Sequence, residues 1–225
     1  MEEIQYNEVI TSTNNTLIKV FFRMFLGLLA TGLTAFYTYS SGLYLTMVSN
    51  SSFAIIAIVE IVIVLIFSWL FRKLSPIAVT VLFYLYAFIN GITLSVIFAT
   101  FDMNTIFYAF FTTAFLFAGL ALYGYTTKKD MSKFGTILIV ALIIGLVSSL
   151  INLFIGSTMI DIALNWGMLL VFSGLTIYDI NKIKVMGETL EQDSEKLYIY
   201  GAMELYLDFI NIFIRILSIM GRRKN

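Results

Sequence analysis

The chain has 225 residues, 60% apolar and 12% charged, with Lys and Arg balancing Asp and Glu at 14 each, and its mean hydropathy is +0.92. A soluble fold would leave that apolar surface in water, so the chain is expected to be an all-α integral membrane protein with the lipid bilayer as its solvent. The even charge offers no basic surplus to nucleic acid, and the absence of Cys and His excludes disulfides, thiolate nucleophiles, iron–sulfur ligation, imidazole bases and the usual zinc sites.

Any chemistry must then rest on carboxylates, and no cofactor is expected. In chain order, residues 1–19 are polar, hold Glu2, Glu3 and Glu8, and lack the basic start and small-residue cleavage site of a secretory signal. They read as a cytoplasmic tail ahead of an uncleaved first anchor. A span needs about 20 mostly apolar residues to cross roughly 30 Å of hydrocarbon. Stretches of that kind run from Val20 to Tyr39, Phe53 to Phe71, Ile77 to Thr100, Ile106 to Tyr125, Phe134 to Ile155, Met159 to Ile180 and Leu197 to Met220. They predict one seven-helix transmembrane domain over residues 20–220, followed by a basic tail, 221–225. Pro76 suits the first turn of the third helix, where its missing N–H costs nothing. The pairs Gly27 and Thr31, Gly91 and Ser95, and Gly145 and Ser149 have the four-residue spacing that lets helix backbones approach, and read as packing sites.

Loop charge predicts the orientation. Lys19, Arg23, Arg72, Lys73, Lys128, Lys129, Lys133, Lys182, Lys184 and Lys196 all fall on the N-terminal side or in the second, fourth and sixth connections, whereas the first, third and fifth contain no Lys or Arg. The positive-inside rule then puts the N-terminus in the cytoplasm of a cell whose inner (plasma) membrane holds the protein. Arg222, Arg223 and Lys224 break the pattern, because seven full spans would place them outside. Either the rule is overridden there or the last segment enters and returns; seven full spans are expected.

Ionisable groups at membrane depth cost about 2.5 kcal/mol or more and usually face a bundle interior or a wet cavity. The candidates are Glu60, Asp179, Glu204, Asp208 and Arg215. In the last span Glu204, Asp208, Asn211 and Arg215 recur at three- and four-residue intervals and so share one helix face. Lipid would not accept that stripe, which predicts that the last helix sits at the centre of the bundle. Its members are candidate ion-pathway or supporting polar groups, or simply mutually neutralised packing contacts. Glu60, with no basic residue in its own helix, is expected to be protonated or paired across helices, either in ion passage or as a buried hydrogen-bonding group. Lys182 and Lys184 follow Asp179 closely enough for an interfacial ion pair. At about 1.5 Å per residue, Asp179 lies roughly 7 Å and Asp208 roughly 16 Å below the cytoplasmic face, a difference that tilt can close.

The segments GLTIYDINKIK (Gly174 to Lys184) and LYLDFINIF (Leu205 to Phe213) resemble the last two helices of the Bax inhibitor-1, or transmembrane Bax inhibitor motif, family. GITLS (Gly91 to Ser95) and AFFTTAFLF (Ala109 to Phe117) resemble its signature across the third and fourth helices, without the Gly-Pro pair between the halves, as in a diverged bacterial-type member. The resemblance implies a seven-helix bundle around the last helix and a calcium-permeable leak that responds to pH through two aspartates, here Asp179 and Asp208. It also implies a basic latch ending the second helix; Phe71 aligns with that place and Arg72 follows it, making Arg72 the candidate latch.

Two carboxylates held close share a proton and titrate as a pair. When deprotonated they would attract calcium, which prefers oxygen ligands, so Asp179 and Asp208 are also the candidate metal-attracting residues. The expected function is a pH-sensitive calcium leak, not an enzyme, with calcium ions and protons as its partners and calcium as the transported species. Two alternatives stay open. An intramembrane aspartyl protease would use the same dyad, but its Gly-x-Gly-Asp and Pro-Ala-Leu segments are missing. A non-transporting partner or regulatory protein would use the charges only for helix packing. The polar stretch from Glu188 to Lys196, with Glu191, Asp193 and Glu195, reads as a solvated loop.

Overall fold

The structure, a computed structural model, describes residues 2–49, 52–71, 73–127, 129, 131–189 and 195–221. Arg72, Lys128, Glu191, Asp193, Arg222, Arg223 and Lys224 lie outside the described residues. Every regular element among those described is helical: α1 (Glu2–Ser40), α2 (Leu43–Ser49), α3 (Ser52–Leu70), α4 (Pro76–Leu94), α5 (Val96–Thr100), α6 (Met103–Thr126), α7 (Ser132–Ile155), α8 (Thr158–Thr189) and α9 (Glu195–Met220).

Local chemistry sets several boundaries. Ser75 caps α4 by accepting from the Ala78 amide at 3.2 Å, with Pro76 in the first turn as expected. Gly156 ends α7 in the left-handed region at φ 69°, its N–H donating to the Asn152 carbonyl at 2.7 Å. Two boundaries differ from expectation. The helix of the first span starts at Glu2, so the polar tail continues directly into it. The third span is interrupted at Ser95, whose hydroxyl turns back to the Ile92 carbonyl at 2.6 Å and separates α4 from α5.

Among the described residues, five stretches are long and apolar enough to cross a bilayer: Asn15–Ser40, Pro76–Thr100, Met103–Thr126, Ser132–Ile155 and Thr158–Gly187. Ile58–Leu70 is a shorter apolar helix. Helix α9, at 26 residues, has the length but carries Glu195, Lys196, Glu204, Asp208 and Arg215. The chain is therefore a multi-pass α-helical membrane protein, with five spans evident from length and composition rather than seven.

The described residues fall into two compact units. One draws on Asn15–Met103 and Gln192–Tyr206, the other on Asn104–Glu191 and Leu207–Arg222. In the first, α1 buries Val20, Met24, Gly27, Thr31, Ala35 and Thr38, a three- and four-residue stripe, while Phe22, Phe25, Leu29, Leu33 and Phe36 are exposed. Exposed apolar rows suit a lipid-facing surface. The α1 stripe meets α4, where a Cβ on Gly91 would stand 2.6 Å from the Thr31 carbonyl oxygen and one on Gly27 would meet the Phe83 ring. In the second unit, Gly135 lies against the Tyr178 ring, Gly145 against Met168 and Gly174 against Leu138, so α7 and α8 pack closely through glycines. Gly124 of α6 is set against the Ile177 carbonyl and Ile180 of α8. All three small-residue pairs read from the sequence thus hold a glycine at a helix contact.

Candidate functional site

On α8, Met168, Phe172, Leu175, Thr176, Asp179, Ile180 and Ile183 are buried at helical spacing, so Asp179 belongs to the helix's inward face. It is 8% exposed. The C-terminal end of α8 is fastened to α6: Lys184 Nζ donates to the Tyr125 carbonyl at 3.0 Å and lies over the Tyr125 ring, and Asn181 Nδ2 reaches the Gly124 carbonyl at 3.5 Å. Lys182 sits 5.9 Å above the Tyr178 ring. Those contacts hold the turn of α8 that carries Asp179.

Asp208 is 4% exposed, and its neighbour Phe209 is clamped by two rings of α6, Phe110 at 5.7 Å and Phe117 at 5.5 Å between centroids. Phe213, one turn on, meets Phe110 as well. Edge-to-face aromatic packing of this kind fixes rotation about the helix axis, and with it the direction of the Asp208 side chain. Both aspartates are thus buried and belong to the same unit.

The remaining members of the α9 stripe have separate roles. Asn211 donates to the Leu207 carbonyl of its own helix at 2.8 Å. Arg215 Nη1 donates to Asn165 Oδ1 of α8 at 3.2 Å, while its Nε is buried with no hydrogen-bond partner among the described residues. Glu204 is half-buried and falls in the first unit with Glu60.

Glu60 heads a polar chain that sequence reasoning missed. Asn90 Nδ2 of α4 donates to Glu60 Oε1 at 3.1 Å, Tyr206 Oη of α9 donates to Asn90 Oδ1 at 3.0 Å, and Tyr206 Oη lies 2.6 Å from Thr31 Oγ1 of α1. Thr31 Oγ1 is also 2.8 Å from the Ala87 carbonyl oxygen and 3.0 Å from that of Gly27. Phe83 and Tyr86 enclose the Tyr206 ring edge-to-face. Glu60 is thus hydrogen-bonded across helices, to a neutral amide. The signal available in the sequence was Asn90, the lone amide of α4.

The N-terminal start of α9 corrects the solvated-loop expectation in part. Glu195 and Lys196 belong to α9, and Glu195 pairs with Arg23 of α1, Arg23 Nη2 lying 2.5 Å from Oε1 and 2.7 Å from Oε2. Lys19 Nζ donates to Tyr198 Oη at 3.2 Å. At the position where the resemblance implies a basic latch, Phe71 lies 4.7 Å from the Tyr200 ring, with Lys196 5.1 Å above its face. In the described residues, the exit of α3 therefore meets α9 through an aromatic clasp.

Comparison with known proteins agrees with the architecture. The family model described as "Inhibitor of apoptosis-promoting Bax1" matches residues 13–225. The Escherichia coli K12 "Inner membrane protein YbhL" is 39% identical over 207 residues, 89% of this chain and 88% of that protein. A Borreliella burgdorferi protein is 34% identical over 226 residues, covering 98% and 97% of the two chains, and a Streptococcus pyogenes membrane protein is 41% identical over 167 residues, covering 74% and 72%. On a match that runs through nearly the whole helical region, this chain belongs to the Bax inhibitor-1 family of membrane proteins.

Proposed function

We propose that the protein is a pH-sensitive, calcium-permeable leak in which Asp179 and Asp208 share a proton. The observation that carries this is the burial of both carboxylates in one unit of a membrane protein, where the cost of charge is high and a shared proton lowers it. With the proton in place the pair keeps the path shut; its loss sets like charges against each other and loosens α8 from α9. The deprotonated pair then draws in a divalent cation. Among the described residues no cluster of three or more His, Cys, Asp or Glu side chains could hold a metal, whereas a tight calcium site takes about six to eight oxygens.

The accompanying topology is seven spans with the N-terminus in the cytoplasm and α9 at the centre. Support comes from α9 itself, where Leu197, Ile199, Ala202, Met203, Leu205, Ile212 and Leu217 are all buried and Met220 is its only exposed large hydrophobic residue. Of the polar stripe, Asp208 is buried and Glu204, Asn211 and Arg215 are half-buried.

The test is calcium entry into liposomes that contain purified protein, measured across pH for the parent and Asp208→Asn. Loss of the pH response is expected. Unchanged flux and unchanged pH response in the variant would remove the pair from the mechanism, and no flux at any pH from folded parent protein would favour a non-transporting role.

A further inference from the structure

The chain from Glu60 through Asn90 and Tyr206 to Thr31 links four helices, and its protons can be counted. Each hydroxyl has one proton to give, so the donor at one end dictates the donor at every other link. We propose that Glu60 is a proton-binding site, separate from the aspartate pair, whose occupancy sets the direction of this chain.

With Glu60 ionised, Asn90 gives an N–H to the carboxylate and turns its oxygen to Tyr206. Tyr206 then spends its only proton on Asn90, and Thr31 must give its own to Tyr206, which leaves the Ala87 carbonyl without it. With the proton on Glu60 Oε1, the oxygen that now accepts from Asn90, the carboxyl donates to the Asn90 oxygen after a half-turn of the amide. The Asn90 N–H then donates to Tyr206, Tyr206 to Thr31, and Thr31 to the Ala87 carbonyl at 2.8 Å. The heavy atoms already stand at hydrogen-bond distance for both directions. Asn90, Tyr206 and Thr31 are buried, so water does not compete for these protons.

Asn90, Thr93 and Tyr86 face Glu60 from α4 and Tyr206 from α9. Helix α2 offers Tyr44, whose ring lies 5.2 Å from that of Tyr39. No ion pair involves Glu60 among the described residues. The proton would thus be felt at Thr31, where α1 touches both α4 and α9. The assignment stands whether or not Asp179 and Asp208 gate an ion path.

Infrared difference spectroscopy of the full-length protein in lipid nanodiscs, titrated with pH, reads the carboxyl band directly. Glu60→Gln is expected to delete one titrating band. Thr31→Val removes the acceptor that Tyr206 needs only when Glu60 is protonated, so a buried donor is left unsatisfied in that state alone. The band should then vanish about one pH unit earlier as pH rises. Thr31→Ser keeps the hydroxyl and should restore the parent midpoint, which a simple packing defect would not do. A Glu60→Gln spectrum identical to the parent's overturns the proton site. Equal midpoints in parent, Thr31→Val and Thr31→Ser overturn the reversal.

Discussion

Replacing Gly91 with Ala adds one methyl group at a close contact between α1 and α4. The new Cβ would stand 2.6 Å from the Thr31 carbonyl oxygen, 2.7 Å from Thr34 Cβ and 3.2 Å from Thr31 Cα. Two of those three atoms are backbone, so no rotamer change relieves the clash and the helices themselves must separate. Overpacking of that kind costs about 3 kcal/mol at the upper end of its range, against a gain of about 1 kcal/mol from replacing glycine inside a helix. The net loss is about 2 kcal/mol, or about 4–8 °C in apparent melting temperature for a chain of this size. Gly119→Ala is the control, because nothing lies within 4 Å of its Cβ position on α6; the same helix-propensity gain should appear there unopposed, raising stability by about 0.5–1 kcal/mol. The assay is thermal unfolding of both variants in detergent, followed by circular dichroism. Gly91→Ala as stable as Gly119→Ala would refute the close approach of α1 to α4, and with it the seating of Thr31 against Tyr206.

Glu195→Gln removes the partner of Arg23 at a partly exposed pair, and is expected to lower stability by at most about 1 kcal/mol, with the loss shrinking at high salt; denaturant titration at two salt concentrations measures both. Phe71→Ala opens the clasp on Tyr200 and Lys196 and should destabilise by about 2–3 kcal/mol, whereas Phe71→Tyr, which keeps the ring, should cost less than about 1 kcal/mol. Asn152→Leu deletes the amide that bonds the Ser157 carbonyl at 3.1 Å and Asp161 Oδ1 at 2.6 Å, so hydrogen exchange should accelerate at the turn from α7 to α8 while the far end of α8, near Lys184, keeps its protection.

Much of this molecule was legible because lipid makes apolar runs and stray charges stand out. The helical class and the small-residue contacts at Gly27, Gly91 and Gly145 follow from hydropathy and four-residue spacing. Asp179 and Asp208 announced themselves as carboxylates where carboxylates are costly, and burial agrees with that. What stayed hidden depends on partners distant in sequence. Glu60 gave no hint that its amide lay on α4 or that Tyr206 stood behind it, since Tyr and Asn in isolation read as ordinary packing residues. Glu195 looked like part of a solvated loop because nothing local distinguishes a free glutamate from one facing Arg23. The break at Ser95 is equally silent, because a serine in an apolar helix often bonds back to its own backbone without ending the helix.

A thermodynamic cycle on the pH response tests the aspartate pair most directly. Calcium flux into liposomes would be measured across pH for the parent, Asp179→Asn, Asp208→Asn and the double variant. If the two residues share one proton, either single change abolishes the pH response and the double change adds nothing further. Two partial losses that sum in the double variant would mean that the aspartates titrate independently, and would contradict the shared proton.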